Sequence, residues 1–163
     1  MLDFSAAYPD VLVLVGTQTG NSERIADAVA GRLGDVGFSC HVTDMAEAYP
    51  EMLADYRQLV VVVCTWAEGT FPDNTVDFFD ALTDLAPDLG HLAYGLVALG
   101  DHDYDPYYQV AAYRLDGTFQ ELGARRLLEI HEIDGTPNAR DLEEAGAWAL
   151  RMARAFAAVH EAP

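Results

Sequence analysis

Gly16-Thr17-Gln18-Thr19-Gly20-Asn21-Ser22 packs three hydroxyls and two side-chain amides into one short stretch, with no Lys or Arg among them. Neutral donors at that density suit an anion. The stretch leaves an apolar run, Val11 to Val15, and enters a helical pattern that runs from Ser22 to about Gly34. A loop at such a junction offers unpaired backbone N–H groups and the positive end of a helix dipole. Gly16 and Gly20 let the backbone approach closely. With no cation present, the expected guest is a small phosphomonoester. A nucleoside-triphosphate loop needs a Lys after its second Gly, and this chain has no Lys anywhere. The dinucleotide fingerprint G-x-G-x-x-G is absent too. A Thr/Ser-capped loop without a ligand reads the same way in isolation, so the case rests on what converges on it.

Two further loops follow apolar runs. Thr65-Trp66-Ala67-Glu68-Gly69-Thr70-Phe71-Pro72-Asp73 leaves Leu59 to Cys64, and Gly100-Asp101-His102-Asp103-Tyr104 leaves Leu92 to Leu99, with Tyr107 and Tyr108 close behind. A large aromatic on each of two loops near one phosphate suits a flat ring clamped on both faces. Offset stacking of that kind is worth about 1 kcal/mol per face beyond area. Trp66 follows a completed strand and sits among Thr, Ala, Glu and Gly, which sets it apart from a core aromatic. Tyr108 belongs to an apolar stripe, where packing is the plainer reading.

These loops need a frame. Ile25, Val29 and Leu33, with Ala26 and Ala30, form a helical stripe ended by Gly34 and Gly37. Phe38 to Thr43 reads as a short edge strand, and Met45 to Tyr56 as an acidic connection with helical turns limited by Pro50. Leu59 to Cys64 is apolar and β-branched enough for a central parallel strand. A helix is expected from about Asn74 to Leu85, and another from a cap and first-turn proline at Asp105-Pro106. Tyr108, Ala111, Ala112, Leu115, Phe119 and Leu122 stripe that helix until Gly123. Ala124 to Ile130 is expected as the fifth strand, and Leu142, Ala145, Ala149, Met152 and Phe156 as the core face of the last helix. Alternating strands and helices predict one α/β domain over residues 1–163, a doubly wound parallel sheet. Ligands bind beyond the carboxyl ends of such strands, at the switch point, so the loops after strands one, three and four are expected to meet.

Composition narrows the function. The 163 residues carry 27 acids against 9 arginines, a net charge of −18. Nucleic acid and anionic membrane both require basic patches and are disfavoured. A basic protein partner, or a cofactor whose charge the acids influence, is favoured. Salt adaptation or a GC-rich genome would also leave Arg without Lys. No apolar run approaches a membrane span and no basic-then-apolar signal opens the chain, so a cytoplasmic setting is expected. Cys40 and Cys64 match neither a disulfide framework nor a metal pattern, and Cys64 reads as a small buried hydrophobe. No metal site is expected from the scattered histidines.

In these motifs the chain resembles the flavodoxin family, essentially end to end, which implies a flavodoxin-like five-stranded sheet in the order 2-1-3-4-5 with helices on both faces. Thr17-Gln18-Thr19-Gly20-Asn21-Ser22 is similar to the family's phosphate loop, T/S-x-T-G-x-S/T. Thr65-Trp66-Ala67-Glu68-Gly69, with Pro72-Asp73-Asn74 after it, resembles the loop bearing the inner ring-flanking aromatic. Leu99-Gly100-Asp101-His102-Asp103-Tyr104 is similar to the G-D-x-x-Y segment, and Glu132-Ile133-Asp134-Gly135-Thr136-Pro137 to the tail of the short-chain members. The resemblance implies FMN bound non-covalently, with Tyr104 over the outer face of the isoalloxazine and the Asp101 segment at its pyrimidine edge. It implies a monomeric electron carrier that accepts electrons from a reductase and passes them to a terminal enzyme, docking through an acidic face. No Ser/His/Asp, Cys/His or paired-carboxylate arrangement points to catalytic residues. A response-regulator receiver shares the strand order but needs clustered acids after strand one and a Lys after strand five. A flavin-dependent oxidoreductase lacks a segment here for a second substrate site. An interaction module that has lost its flavin sits poorly with an intact hydroxyl loop and two aromatics.

The chain departs from the family at three positions. His102 and Asp103 replace small hydroxyl residues, which changes the hydrogen bonding and charge expected beside the flavin. Ala67 stands where the family commonly has Gly. The resemblance implies that the residue-67 carbonyl turns towards flavin N5 on reduction, and a Cβ makes the required dihedral change dearer by about 1 kcal/mol. Ala67→Gly is therefore expected to raise the first reduction potential by about 40 mV, given 59 mV per tenfold for one electron. FMN phosphate affinity should hardly change. Redox titration of the two proteins at matched pH checks this, and an unchanged or lowered first potential removes residue 67 from the role.

Overall fold

Apolar strands without polar alternation can be buried only if both faces are covered, and the structure covers them. The computed structural model describes residues 10–66 and 68–161. Ala67, and with it the expectation for its carbonyl, lies outside the described residues. In chain order the elements are β1 (Asp10–Gly16), α1 (Asn21–Asp35), β2 (Ser39–Asp44), β3 (Gln58–Cys64), α2 (Asp73–Leu85), β4 (Ala93–Gly100), α3 (Val110–Glu121), β5 (Arg125–Arg126), β6 (His131–Asp134) and α4 (Ala139–Glu161). Short 3-10 turns at Met45–Glu47 and Pro50–Asp55 fill the acidic connection. The sheet is parallel throughout, in the order β2-β1-β3-β4-β5, with β6 continuing the outer edge beside β4. This is the flavodoxin-like arrangement that the resemblance implies. Among the described residues, no helix is long and apolar enough to cross a membrane.

Period-two side-chain direction divides the core in two. Leu12, Leu14, Leu59, Val61, Val63, Leu96 and Ala98 face α2, α3 and the 45–55 connection. Val11, Val13, Val15, Val60, Val62, Val97 and Leu99 face α1 and α4. The helix stripes read from the sequence are the ones buried, including Ile25, Ala26, Val29 and Leu33 on α1, and Ala145, Ala149, Met152 and Phe156 on α4. Gly37 ends the first helix in a left-handed conformation, φ 104°, while Phe38 N–H reaches back to Leu33 O at 3.1 Å. That is the αL termination glycine favours.

Two expectations are corrected. Asp105-Pro106 does not start a helix; α3 begins at Val110 behind Gln109, which sits at φ 58° with its side chain buried. The Gln109 Nε2 group donates to Ala98 O at 2.9 Å and to Ile133 O at 3.0 Å, bolting β4 to β6. Two carbonyls claimed by one buried amide outweigh a local capping preference, so Tyr107 and Tyr108 precede the helix. The fifth strand is also not continuous. Tyr94 pairs with Arg126 and Val97 with His131, so three steps along β4 face five along the outer chain. The surplus loops out where Arg126 Nε donates to Leu128 O at 2.9 Å and Nη1 to Asp116 Oδ2 at 2.6 Å.

Asp116 is the hub of that corner. Its buried carboxylate also accepts from Tyr94 Oη at 2.5 Å and Gln120 Nε2 at 2.7 Å, joining β4, α3 and β5. Burial, and then the bond to Asp116, push the Tyr94 phenol well above its ordinary range, which keeps it a donor. Removing one partner of a buried charged network strands the others. Asp116→Ala should cost roughly 3 kcal/mol of stability, and Asp116→Asn less. Urea unfolding of the three proteins checks this. A loss under about 1 kcal/mol for the alanine variant would place the pair with ordinary solvated ion pairs.

Candidate functional site

The turn from β1 into α1 is held open by its neighbours. A Cβ on Gly16 would lie 2.5 Å from Thr75 Oγ1 and 2.8 Å from Val63 Cγ2, so only glycine lets β1 leave the sheet this close to α2. Asn74, at the start of α2, ties the corner together. Its Nδ2 donates to Val15 O at 3.1 Å and to Asp44 Oδ1 at 2.8 Å, and its Oδ1 accepts from Thr17 N at 3.0 Å. Gln18 points away from the turn onto Asp73, accepting from its N–H at 2.9 Å and donating to its carboxylate at 3.2 Å. Thr17 Oγ1 accepts from Gly20 N at 2.8 Å, and Gly20 takes the left-handed conformation, φ 89°. No side chain caps α1. Its first-turn N–H groups, which have no intrahelical acceptors, therefore open into the space in front.

That space is a cavity of about 260 Å³ lined by Thr17, Thr19, Asn21 and Ser22 from the first loop, Cys64, Thr65 and Trp66 after β3, Leu99, Gly100, Asp101 and Tyr104 after β4, and Gly135 and Thr136 after β6. The three expected loops meet at one place, joined by a fourth. A smaller cleft beside it is lined by Thr65, Trp66, Glu68, Gly69, Asp101, Tyr104 and Tyr107. Trp66 is 42 % exposed and Tyr104 61 % exposed, so both rings are accessible at the cavity mouth. The Trp66 loop is a tight closure: Trp66 and Thr70 exchange two backbone bonds of 2.9 Å, with Glu68 and Gly69 both at positive φ between them. Thr65 Oγ1 accepts from Ala111 N at 3.0 Å, and so caps α3 while it lines the cavity. On the other wall, Asp101 Oδ1 accepts from Asp103 N at 2.9 Å and shapes the turn that carries Tyr104. Asp134 then straps that turn to β6, accepting from His102 N at 2.9 Å and pairing with His102 Nδ1 at 2.8 Å.

The donor set suits a phosphate. Ser22 is fully buried, and its Oγ lines the cavity without a hydrogen-bond partner. Its side chain meets the Cys64 thiol, a weak partner whose pKa is raised by burial. A buried hydroxyl left unpaired costs about 1–3 kcal/mol, and an anion oxygen at the helix end removes that cost. No Arg, Lys or His lines the cavity. Gln18 and Gly20 act behind the cavity wall, and Tyr108 lies outside both clefts, its ring edge-on to His102 at 5.9 Å. Cys64, Gly135 and Thr136 complete the lining without having been singled out for it. Gly135 and Thr136 carried a signal, since they follow the last strand at the same sheet edge as the other loops.

A phosphate cradle and a ring slot on the carboxyl edge of a 2-1-3-4-5 sheet define a mononucleotide-binding α/β protein. The family model described as Flavodoxin matches residues 13–148. The chain belongs to the flavodoxin family, whose cofactor is FMN. The flavoprotein alpha-component of NADPH sulfite reductase from Bacillus subtilis (strain 168) is 35% identical over 123 residues, 75% of this chain and 20% of that protein. Its counterpart from Shewanella oneidensis is 36% identical over 129 residues, 78% of this chain and 21% of that one. The chain thus spans about a fifth of the length of these curated relatives. Among solved structures, oxidised flavodoxin 1 from Bacillus cereus is similar with a TM-score of 0.79 at 26% identity, covering 90% of this chain and 97% of that one. The Streptococcus pneumoniae TIGR4 flavodoxin has a TM-score of 0.77 at 29% identity, covering 92% and 98%.

The orphan hydroxyl gives a clean test. Ser22→Ala removes a buried unsatisfied group, so the apo-protein should be at least as stable as the parent. FMN affinity should fall by about 1–3 kcal/mol, the worth of a hydrogen bond to a charged group. Riboflavin, which lacks the phosphate, should bind both proteins alike. Fluorescence titration with the two ligands checks this, and equal losses for both would move the phosphate elsewhere.

Proposed function

We propose that this chain is an FMN-loaded electron carrier that takes electrons from a reductase and hands them to a terminal redox enzyme. The observation that carries this reading is the unpartnered, buried Ser22 hydroxyl facing an uncapped helix start, in a cavity whose other walls are two exposed aromatics. Thr17, Thr19, Asn21 and Ser22 hold the phosphate with the α1 amides. Gln18 and Gly20 keep that loop in shape. Trp66 and Tyr104 flank the ring, with Thr65, Glu68, Gly69, Leu99, Gly100, Asp101 and Tyr107 around its edges. Bound FMN supplies one- and two-electron redox chemistry; the chain binds it, orients it and restricts water at its faces. The cavity carries one acid and no base paired to a nucleophile, in keeping with a carrier instead of a turnover enzyme.

Similarity to the flavodoxin-like fifth of sulfite reductase flavoproteins supports a terminal acceptor of that kind, and the domain acts as a monomer. Both cysteines are unpaired, in keeping with a cytosolic setting. The purified protein should show flavin absorption near 375 and 450 nm, roughly the positions of free flavin. Reduced anaerobically, it should yield its electrons to a basic acceptor protein with no small substrate consumed. Negative charge near Glu68, Asp101 and Asp103 opposes the last electron, and salt screens such charge over about 10 Å at 0.1 M. The second reduction potential should therefore become less negative as salt rises, while transfer to the basic acceptor slows. Absence of flavin bands, or a second potential indifferent to salt, counts against this reading.

A further inference from the structure

The exposed apolar surface is not spread evenly around the cavity. Among the described residues ten large hydrophobic side chains are exposed, and five of them, Trp66, Tyr104, Tyr107, Val110 and Tyr113, fall on one flank. They are contiguous. A Cβ at Gly69, beside the Trp66 turn, would lie 3.1 Å from Tyr107 Cδ1 and 3.5 Å from Val110 Cγ1, so both side chains meet over that glycine. Tyr113 follows Val110 by three residues on α3, on the same helix face. Trp66 and Tyr104 face the cavity, but Val110, 37 % exposed, and Tyr113, 51 % exposed, lie outside its lining. A flat cofactor does not account for them.

The charge on the segments that build this ridge is negative. The two segments that build it, residues 65–73 and 100–113, carry Glu68, Asp73, Asp101, Asp103 and Asp105 and no arginine. The nearest guanidinium in sequence, that of the exposed Arg114, is engaged over two rings, 5.1 Å from the Phe71 centroid and 4.8 Å from that of Phe79. Tyrosines at the centre with charge at the rim are the composition of a protein-binding patch. A second copy of this chain would bring the same acids against these, which disfavours self-association.

We propose that the Tyr107–Val110–Tyr113 flank of α3 is the docking surface for a redox protein that presents an apolar rim ringed by Lys or Arg. The partner thus sits to the α3 side of the cavity mouth and not centrally over it. This rests on the electron-carrier reading above and specifies where its partner binds. The acids steer and orient the encounter, and the ridge supplies the desolvated centre that slows dissociation.

Cytochrome c, a haem protein with a lysine-ringed apolar edge, is the probe. Two variants of the FMN-loaded protein are compared with the parent: Val110→Ser with Tyr113→Ser on the ridge, and Val36→Ser with Leu85→Ser at the opposite end of the sheet. Binding of oxidised cytochrome c is read by amide chemical shifts, and transfer from the reduced protein by stopped flow. The ridge variant should weaken binding and slow transfer at least about fivefold, as loss of central interface contacts does. Its FMN affinity and both potentials should stay those of the parent, and the control should match the parent throughout. Shifts should centre on residues 107–113. Parent-like rates in the ridge variant, or shifts centred elsewhere, overturn the surface. Sedimentation showing a parent dimer that the ridge variant dissolves would also overturn it. Failure of the parent itself to reduce cytochrome c would instead strike at the electron-carrier reading.

Discussion

Everything in this protein turns on holding an anion without a cation. At −18 overall, and with no basic side chain lining the cavity, long-range electrostatics oppose a phosphate dianion. In the proposed site the binding comes from short-range donors aimed by the fold: the open amides of α1, three hydroxyls and an amide. Such donors are worth little unless their geometry is set beforehand. The structure sets it through Asn74, whose single side chain joins the ends of β1 and β2, the phosphate loop and α2. Gln18 and the close approach at Gly16 serve the same end, each giving up a role in the site to hold the loop in place.

The opposite wall follows a related logic. Loops that carry exposed aromatics are liable to collapse onto the core, since burying a Trp or Tyr is favourable. Here they are held out. The Trp66 turn is closed by a pair of backbone bonds, and the Tyr104 turn is shaped by Asp101 and strapped to β6 by Asp134. Gln109 beneath them joins β4 to β6, so the two strand ends that bound the cavity keep a set spacing. The carboxylates used for this shaping also put negative charge at the cavity mouth.

Much of the architecture was legible locally. Unbroken valine runs can only be central strands, stripes at helical spacing can only face a sheet, and loops leaving parallel strands must emerge on one edge. From these the parallel sheet, the two-sided core and the meeting of three loops follow without any long-range information, while the strand order came from the resemblance to the flavodoxin family. The neutral, hydroxyl-rich character of the phosphate loop is likewise a property of residue type, independent of the coordinates.

Other features depend on partners far apart in sequence. Asp105-Pro106 carries a helix-start signal, yet α3 waits for Gln109, because that side chain is claimed by carbonyls on two strands. The outer strand breaks because Arg126 finds Asp116 and Leu128, a choice no alternation of apolar residues records. Gln18 looked like a ligand donor by its neighbours and is a brace by its contact with Asp73, 55 positions away. Cys64 read as buried filler and lines the cavity, because the strand ends just where the phosphate loop crosses it. Residue types and their period determined the fold and the chemistry of the pocket. Which side chains face the ligand, and which support those that do, was decided only when distant hydrogen-bonding groups were brought together and had to be satisfied.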